Sequence, residues 1–419
     1  MRVLFLATYF PRPSNMRMGT WSLDHAAALR DAGMEVQVIS LTPAIPRLAA
    51  RVVPSVATYT DCPAEADLSG IKVHYPRWWC YPIKQFWRFM SRAPRFFLSL
   101  GWRSSRREVL AIVDRFQPDV VLANHSLVNG FVANQIKSAR GIPYITVDHE
   151  VGDFFACRDH GRWMKVMKPV AEEASVGVTV SRTMEDIAEQ VLPGVAFQTI
   201  YNGASFPPCD QSMLDRHVAK DDMVVFCCGN LYGRKDIQLL IHAFDRISSE
   251  YPHARLRIAG DGPDRDTLEE IASALPSKET IEFLGSIEHD AVQVEMQQAD
   301  IFALVGWAEP FGVVFLEAMA NGCPVVVSND AGVAEILQDG ETAIFTEPRD
   351  LESVVNALRS LCESDQRRAT IARAGHAFYR DSCRWDHRAI EYREVLASCA
   401  NAHQTATQIL SRSWEGICE

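Results

Sequence analysis

At 419 residues the chain is long enough for two or three domains, each able to bury a full core. Hydrophobic content of 47% and charged content of 23% are those of a soluble globular protein, and a net charge of −11 argues against a general nucleic-acid binder. The 11 cysteines are scattered and form no C-x-x-C pair, which speaks for reduced cytosolic thiols and against a disulfide framework or a zinc site. The opening run MRVLFLATYF is short, and no small-residue cleavage site follows Pro11, Arg12 and Pro13. It reads as a first buried strand, not a signal peptide. No run of about 18 or more apolar residues occurs, so no spanning helix is predicted.

Short apolar runs then alternate with helical patterns. Residues 3–8 read as a strand, 22–32 as a helix capped by Gly33, and 35–41 as the next strand. Further strands are expected at 71–75, 120–123, 144–147 and 176–180. This β-α-β rhythm predicts a parallel sheet with helices on both faces. It loosens near Asn202 and Gly203, and Pro207-Pro208 follows, so a domain boundary is placed there. The rhythm restarts with a strand at 223–229, a helix at 237–248, a strand at 255–259, a helix at 268–274 and strands at 281–284, 301–305 and 324–327. A helix is expected at 385–396. The domains are accordingly 1–205, 206–383, a helix at 384–400, and a tail 401–419 without an assigned role. Two Rossmann-like halves in tandem would face each other across a cleft at the carboxyl ends of their sheets.

The most informative stretch is WAEPFGVVFLEAMANGCPVVVSNDAGVA, beginning at Trp307. Glu309 lies in a loop with Pro310, Phe311 and Gly312, and a helix starts near Val313. Gly312 allows close backbone approach, and the helix start offers free N–H groups at a positive dipole end, which suits a phosphate. Glu317 lies one turn past Val313 on the same face, ~6 Å along the axis, about the span from a diphosphate to ribose hydroxyls. Its carboxylate can accept from both hydroxyls.

The pattern E-P-F-G-x-x-x-x-E-A-M-A-x-G-x-P-V-V resembles the signature of the GT-B glycosyltransferases of family 4 type, retaining enzymes that use sugar nucleotides. The resemblance covers nearly the whole chain and is more specific in the second half. It implies a GT-B α/β fold and a donor site formed by Glu309, Phe311, Gly312, Val313, Val314 and Glu317. GNLYGRKD, residues 229–236, resembles the family's G-R-x-x-x-x-K-G, with Lys235 at the lysine that meets the leaving diphosphate. Asn230 stands where arginine is common and Asp236 where glycine is common. Arg234 could replace the missing charge, although neighbours on a helix do not share a face. The turn containing Gly262, in G-D-G-P, also matches, as does Glu335 near the donor pocket, and Gly285–Ile287, after another strand, is a candidate contact for the base. Gly19 matches a glycine turn that admits the diphosphate to the first domain. His149 matches a histidine beside the donor sugar and the acceptor, with His125 a second candidate on the acceptor side. The catalytic set is thus Glu309, Lys235 and His149. The resemblance implies no bound metal or cofactor, and front-face attack by the acceptor hydroxyl while the departing phosphate takes its proton.

Residues 77–107 stand apart in an acidic chain. Arg77, Lys84, Arg88, Arg92, Arg95, Arg103, Arg106 and Arg107 are interleaved with Trp78, Trp79, Tyr81, Phe86, Trp87, Phe89, Phe96, Phe97 and Trp102, and no acidic residue intervenes. Basic and aromatic residues together suit an anionic membrane surface. The expected function is a retaining hexosyltransferase, peripheral on the cytoplasmic face of a bacterial membrane. It would move a UDP- or GDP-linked sugar to a lipid-linked or other saccharide acceptor in surface polysaccharide biosynthesis. A sugar-nucleotide 2-epimerase of the same fold and a non-catalytic sugar-nucleotide-binding protein are the rival readings.

Overall fold

The structure is a computed structural model that describes residues 1–46, 56–79, 90–214 and 223–415. The chain divides into two compact units, Met1–Ile200 with Trp385–Glu419, and Tyr201–Arg384. Residues 201–205 go with the second unit for a physical reason. Ala204 pairs with Arg384, and the buried Tyr379 hydroxyl donates to the carbonyls of Ala204 and Phe206.

The first unit is built on an eight-stranded sheet of order β10-β9-β8-β7-β1-β2-β5-β4. Its strands are β1 (Arg2–Leu6), β2 (Glu35–Ile39), β4 (Glu65–Leu68), β5 (Ile71–His74), β7 (Val120–Asn124), β8 (Tyr144–Asp148), β9 (Gly177–Thr179) and β10 (Phe197–Thr199). A separate pair joins β3 (Thr42–Pro43) to β6 (Arg77–Trp78). Among the described residues the only antiparallel neighbour in the large sheet is β4 on β5. β1, β7 and β8 are apolar runs buried almost throughout, as a sheet covered on both faces requires. Helices α1 (Thr20–Asp31), α2 (Pro94–Phe116), α3 (Val128–Arg140), α4 (Gly152–Asp159), α5 (Gly161–Glu173) and α6 (Arg182–Val191) connect the strands.

The second unit has a six-stranded, fully parallel sheet of order β13-β12-β11-β14-β15-β16. The strands are β11 (Met223–Cys228), β12 (Ala254–Ala259), β13 (Ile281–Gly285), β14 (Ile301–Leu304), β15 (Val325–Ser328) and β16 (Ile344–Thr346). Renumbered within the unit this is 3-2-1-4-5-6, the Rossmann order, whose direction reverses between β11 and β14. Helices α7 (Ile237–Ser248), α8 (Arg265–Ser273), α9 (His289–Gln298), α10 (Val313–Ala320), α11 (Leu351–Cys362) and α12 (Asp365–Ser382) complete it.

The last helix, α13 (Trp385–Glu415), returns to the first unit, where Trp385, Ala389, Tyr392, Leu396, Cys399 and Ala400 join the core beside Ala26 and Leu29 of α1. It runs well past the expected end at 396, because its buried stripe continues through Cys399 and Ala400.

Candidate active site

In the second unit the loops leaving β11 and β14 meet at the strand-order reversal, where open parallel sheets bind ligands. After β11 the chain forms a short 3-10 turn, Gly233–Lys235, and then Asp236 adopts φ +47°. Lys235 and Arg234 are therefore not successive residues of one α-helix. Both side chains reach the loop before α10. Lys235 Nζ donates to Glu309 Oε2 at 2.7 Å, with each side chain only 12% exposed. Arg234 donates to the Ala308 carbonyl at 2.8 Å and to the Tyr232 hydroxyl at 2.9 Å, and its own carbonyl accepts from Trp307 N–H. Its fork thus supports the loop.

The same loop is held from its other side. Ala308, at φ +48°, donates its N–H to Asp330 Oδ2 at 2.9 Å, while Ser328 Oγ donates to Asp330 Oδ1. The carbonyls of Glu309 and Phe311 accept from Gly332 and Val333 N–H. Glu335 is exposed on that last 3-10 turn, Gly332–Ile336. Phe311 is buried against Tyr201, with ring centroids 6.0 Å apart. Gly312 then takes φ +93°, and a Cβ there would lie 2.6 Å from the Phe315 ring, so only glycine fits. It caps α10, whose first turn carries no acidic residue and no side-chain cap. Val313, Val314 and Glu317 are half-buried on this helix.

Cys228, at the end of β11, senses both charges. Burial and the negative Glu317 push its thiol up to about 12, while Lys235 opposes them. Glu317 and Lys235 therefore both lie near the end of β11. Gly262 sits against the β11 loop, since a Cβ there would be 2.2 Å from the Leu231 carbonyl oxygen. Asn230 is exposed, and its carbonyl accepts from Tyr232 N–H.

In the first unit, Gly19, His125 and His149 follow β1, β7 and β8 at the same end of the sheet. Gly19 caps α1 at φ +73°, and a Cβ there would lie 2.4 Å from the Tyr9 carbonyl. His125 holds φ +70°, a conformation costly for a side chain of its size. Asp148 fixes it: one carboxylate oxygen accepts from Ser126 N–H at 2.8 Å and the other from Ser126 Oγ at 2.5 Å. His149 Nε2 lies 3.5 Å from Asn124 Oδ1, and its ring is 4.3 Å from Trp21 and 5.6 Å from His125. Tyr9 packs edge-on to His125. Burial lowers His125 to about 4, so it is neutral near pH 7. Burial raises Asp148 to about 6 and Asp153 to about 7, and the negative charges of Asp148 and Glu150 add to the effect on Asp153. His125, Asp148 and Asp153 bring their ligand atoms within 4.8 Å of one another, a grouping able to hold a metal ion, although protons compete for the same oxygens.

The aromatic-basic stretch is partly structural. Arg77 donates to the carbonyls of Tyr59 and Cys62, and Trp78 and Trp102 are core residues, with Trp78 lying over Gly101. These three leave the surface patch. Trp79 and Phe96 are 56% and 63% exposed, and Arg95, Arg103, Arg106 and Arg107 are exposed on α2. Lys84, Arg88, Tyr81, Phe86, Trp87 and Phe89 lie outside the described residues. Among the described residues no helix is long and apolar enough to cross a membrane.

Sequence comparison matches residues 18–205 to Glycosyltransferase Family 4 and residues 210–378 to Glycosyl transferases group 1. The chain is a GT-B glycosyltransferase of family 4 type. Among relatives of this glycosyltransferase is the GDP-mannose-dependent alpha-(1-6)-phosphatidylinositol monomannoside mannosyltransferase of Mycolicibacterium smegmatis. It is 29% identical over 280 residues, 64% of this chain and 72% of the relative. The glycogen synthase of Mycobacterium tuberculosis is 30% identical over 277 residues, covering 62% of this chain and 64% of that one. In fold, the glycosyltransferase is similar to sucrose-phosphate synthase of Thermosynechococcus elongatus, with a TM-score of 0.74 at 19% identity over 95% of this chain and all of the other. It is similar also to Anabaena HepE in complex with UDP-glucose, with a TM-score of 0.67 at 21% identity and the same coverage.

Asp330 and Trp21 shape the sites but carried no motif in the sequence, and Asp148 stood out there only as a neighbour of His149. Asp330 and Asp148 act through contacts 22 positions away along the chain, and Trp21 through ring packing. The one available signal is that Asp330 and Asp148 lie at or just beyond the carboxyl end of a buried strand.

Proposed function

We propose that this glycosyltransferase is a retaining, metal-independent hexosyltransferase that moves a sugar from a nucleoside diphosphate to a lipid-linked glycan. The observation that carries the reading is the Lys235–Glu309 ion pair at the entrance to α10, with Glu317 one turn inside. When the glycosidic bond breaks, negative charge grows on the diphosphate. Lys235 and the amide end of α10 at Gly312, Val313 and Val314 meet it with preorganised positive charge. Glu317 accepts from the ribose hydroxyls. Positive charge growing at the anomeric carbon is met by Glu309. The acceptor hydroxyl attacks from the same face and passes its proton to the departing phosphate. Within the first unit, Gly19, His149 and His125 are the residues the family resemblance assigns to ligands, Gly19 to the donor and the two histidines to the acceptor.

The phosphatidylinositol-linked acceptor in the mannosyltransferase's name supports a lipid-linked acceptor here. The exposed Trp79, Phe96 and arginines of α2 support contact with anionic lipid at the cytoplasmic face of the membrane. UDP and UDP-glucose, bound by HepE, support a sugar-nucleotide donor.

The test is transfer from radiolabelled UDP- and GDP-sugars to lipid extracts. Glu309→Ala should bind nucleotide and transfer poorly, and unchanged turnover would refute the assignment. Flotation with anionic liposomes should weaken when Arg88, Arg92 and Arg95 are changed to Glu. Intact flotation would remove the membrane contact.

A further inference from the structure

The parallel register of β7 and β8 sets Asn124 opposite Val147, so the next residues, His125 and Asp148, reach the end of the sheet side by side. Asp153 follows in the first turn of α4. An imidazole and two carboxylates thus come together, with a ligand atom of each within 4.8 Å of the others. Asp148 is 0% exposed, and an aspartate is almost never fully buried unless paired. Among the described residues neither Asp148 nor Asp153 has a lysine or arginine partner, and the charges that act on Asp153 are those of Asp148 and Glu150. The ring nitrogens of His125 have no hydrogen-bond partner among the described residues either.

Cys157 joins this group. It stands four residues past Asp153 on α4, one turn on and on the same face. It is 2% exposed, and among the described residues its thiol has no hydrogen-bond partner. Burial, then Asp153 and Asp148, push that thiol up to about 12, so it lies near both carboxylates.

Buried acids without a cation are costly unless protons or a metal ion neutralise them. Protons meet the charge but leave His125 and Cys157 without a partner. A divalent ion offsets the carboxylates and serves all four side chains, since a coordinated thiol gives up its proton. Ligand type narrows the choice. Mg2+ and Ca2+ take oxygen ligands, whereas imidazole nitrogen, carboxylate oxygen and thiolate sulfur together suit tetrahedral Zn2+. Bonds of ~2.1 Å put tetrahedral neighbours ~3.4 Å apart, so a separation of 4.8 Å closes by roughly 1.4 Å on rotation of a side chain. Support for the ligands is already built. The two Asp148 oxygens accept from Ser126 N–H and Ser126 Oγ, and each keeps a lone pair for an ion.

We propose that His125, Asp148, Asp153 and Cys157 form a zinc site that ties the ends of β7 and β8 to α4. The site lies wholly within the first unit, and its ion is structural. It takes no part in the donor chemistry read above, whose positive charges are Lys235 and the start of α10, and it stands whether or not that reading holds.

The full chain, freed of metal with a chelator, is titrated with Zn2+ against a chromophoric competitor, and with Co2+ in the spectrometer. About one zinc per chain should bind and raise the melting temperature, while Mg2+ does neither. Asp153→Asn and Cys157→Ser should each weaken zinc by about 10–100-fold or more, the loss that even a supporting partner of a metal ligand causes. Co2+ should give the near-ultraviolet thiolate band of a tetrahedral site, and Cys157→Ser should lose it. The wild-type spectrum decides should a variant fail to fold. Zinc uptake unchanged in both variants, Co2+ without a thiolate band, an equal response to Mg2+, or no stoichiometric binding would overturn the proposal.

Discussion

The Lys235–Glu309 pair allows structure and chemistry to be separated in one experiment. At 2.7 Å and an effective dielectric near 20, the attraction between unit charges is about 6 kcal/mol. Desolvation of two side chains that are each 12% exposed takes back much of it. A net coupling of about 2–3 kcal/mol is expected, at the upper end for directly contacting pairs. Lys235→Met leaves a carboxylate without its partner, and Glu309→Gln leaves an ammonium with only an amide. Each should destabilise the protein by about 3 kcal/mol. The double variant Lys235→Met/Glu309→Gln removes both charges, so in a urea denaturation cycle it should cost about 3–4 kcal/mol, little more than either single variant and well short of the roughly 6 kcal/mol of two independent losses. Turnover should behave differently. If Lys235 meets the departing diphosphate and Glu309 the anomeric carbon, each single variant loses about 10²–10³ in kcat, and the double variant recovers none of it. Stability that couples while activity does not would mark a pair that is both a strut and a working site. A double variant that regains turnover would refute the chemical role and leave only the strut. Single variants within twofold of wild-type turnover would refute it outright.

Three further outcomes follow from other contacts. His25 is wholly buried, stacked on Trp385 at 4.6 Å and beside Tyr392 at 4.3 Å, and burial takes its pKa down to about 3. The folded form resists the proton that the unfolded chain accepts below pH 6.5. Stability should therefore be unaffected by His25 above that pH and fall by up to about 1.4 kcal/mol per unit from pH 6.5 toward 3. Thermal melts of His25→Phe should show a shallower acid limb, and an unchanged limb would exclude this source. Asp236→Gly should raise stability by about 0.5–1 kcal/mol, because Asp236 holds φ +47° where glycine is unstrained. A lower melting temperature would show that its side chain earns more than the backbone costs. Asp330→Ala removes the acceptor of Ala308 N–H and of the buried Ser328 hydroxyl, at about 1–3 kcal/mol. Because it also releases the Glu309 loop, turnover should fall further than nucleotide affinity, and parallel losses would contradict that role.

Legibility in the sequence tracked how local the determining physics was. The buried parallel strands announced themselves, since continuous apolar runs are what a two-sided sheet requires, and each expected strand exists within a residue or two of its bounds. The short edge strands β4, β10 and β16 did not, because three or four residues with one covered face carry little periodicity. Helix α13 outran its expected end because Cys399 and Ala400 pack through small side chains that a hydrophobic pattern underweights.

In the donor-side site the same rule separates Gly312 from Asp236. Gly312 was readable because glycine is the residue for its φ of +93° and for its approach to Phe315. At Asp236 a non-glycine residue adopts the left-handed conformation, so the sequence departs from the glycine pattern while the backbone takes a conformation that glycine favours. That conformation, following a 3-10 turn, is also what lets Arg234 and Lys235 both reach the Ala308–Glu309 loop, where helical spacing would have sent them apart. The departure from the glycine pattern and the convergence of the two cations thus have one local cause. The sequence concealed it because φ is not encoded in residue type when an aspartate takes a glycine's place.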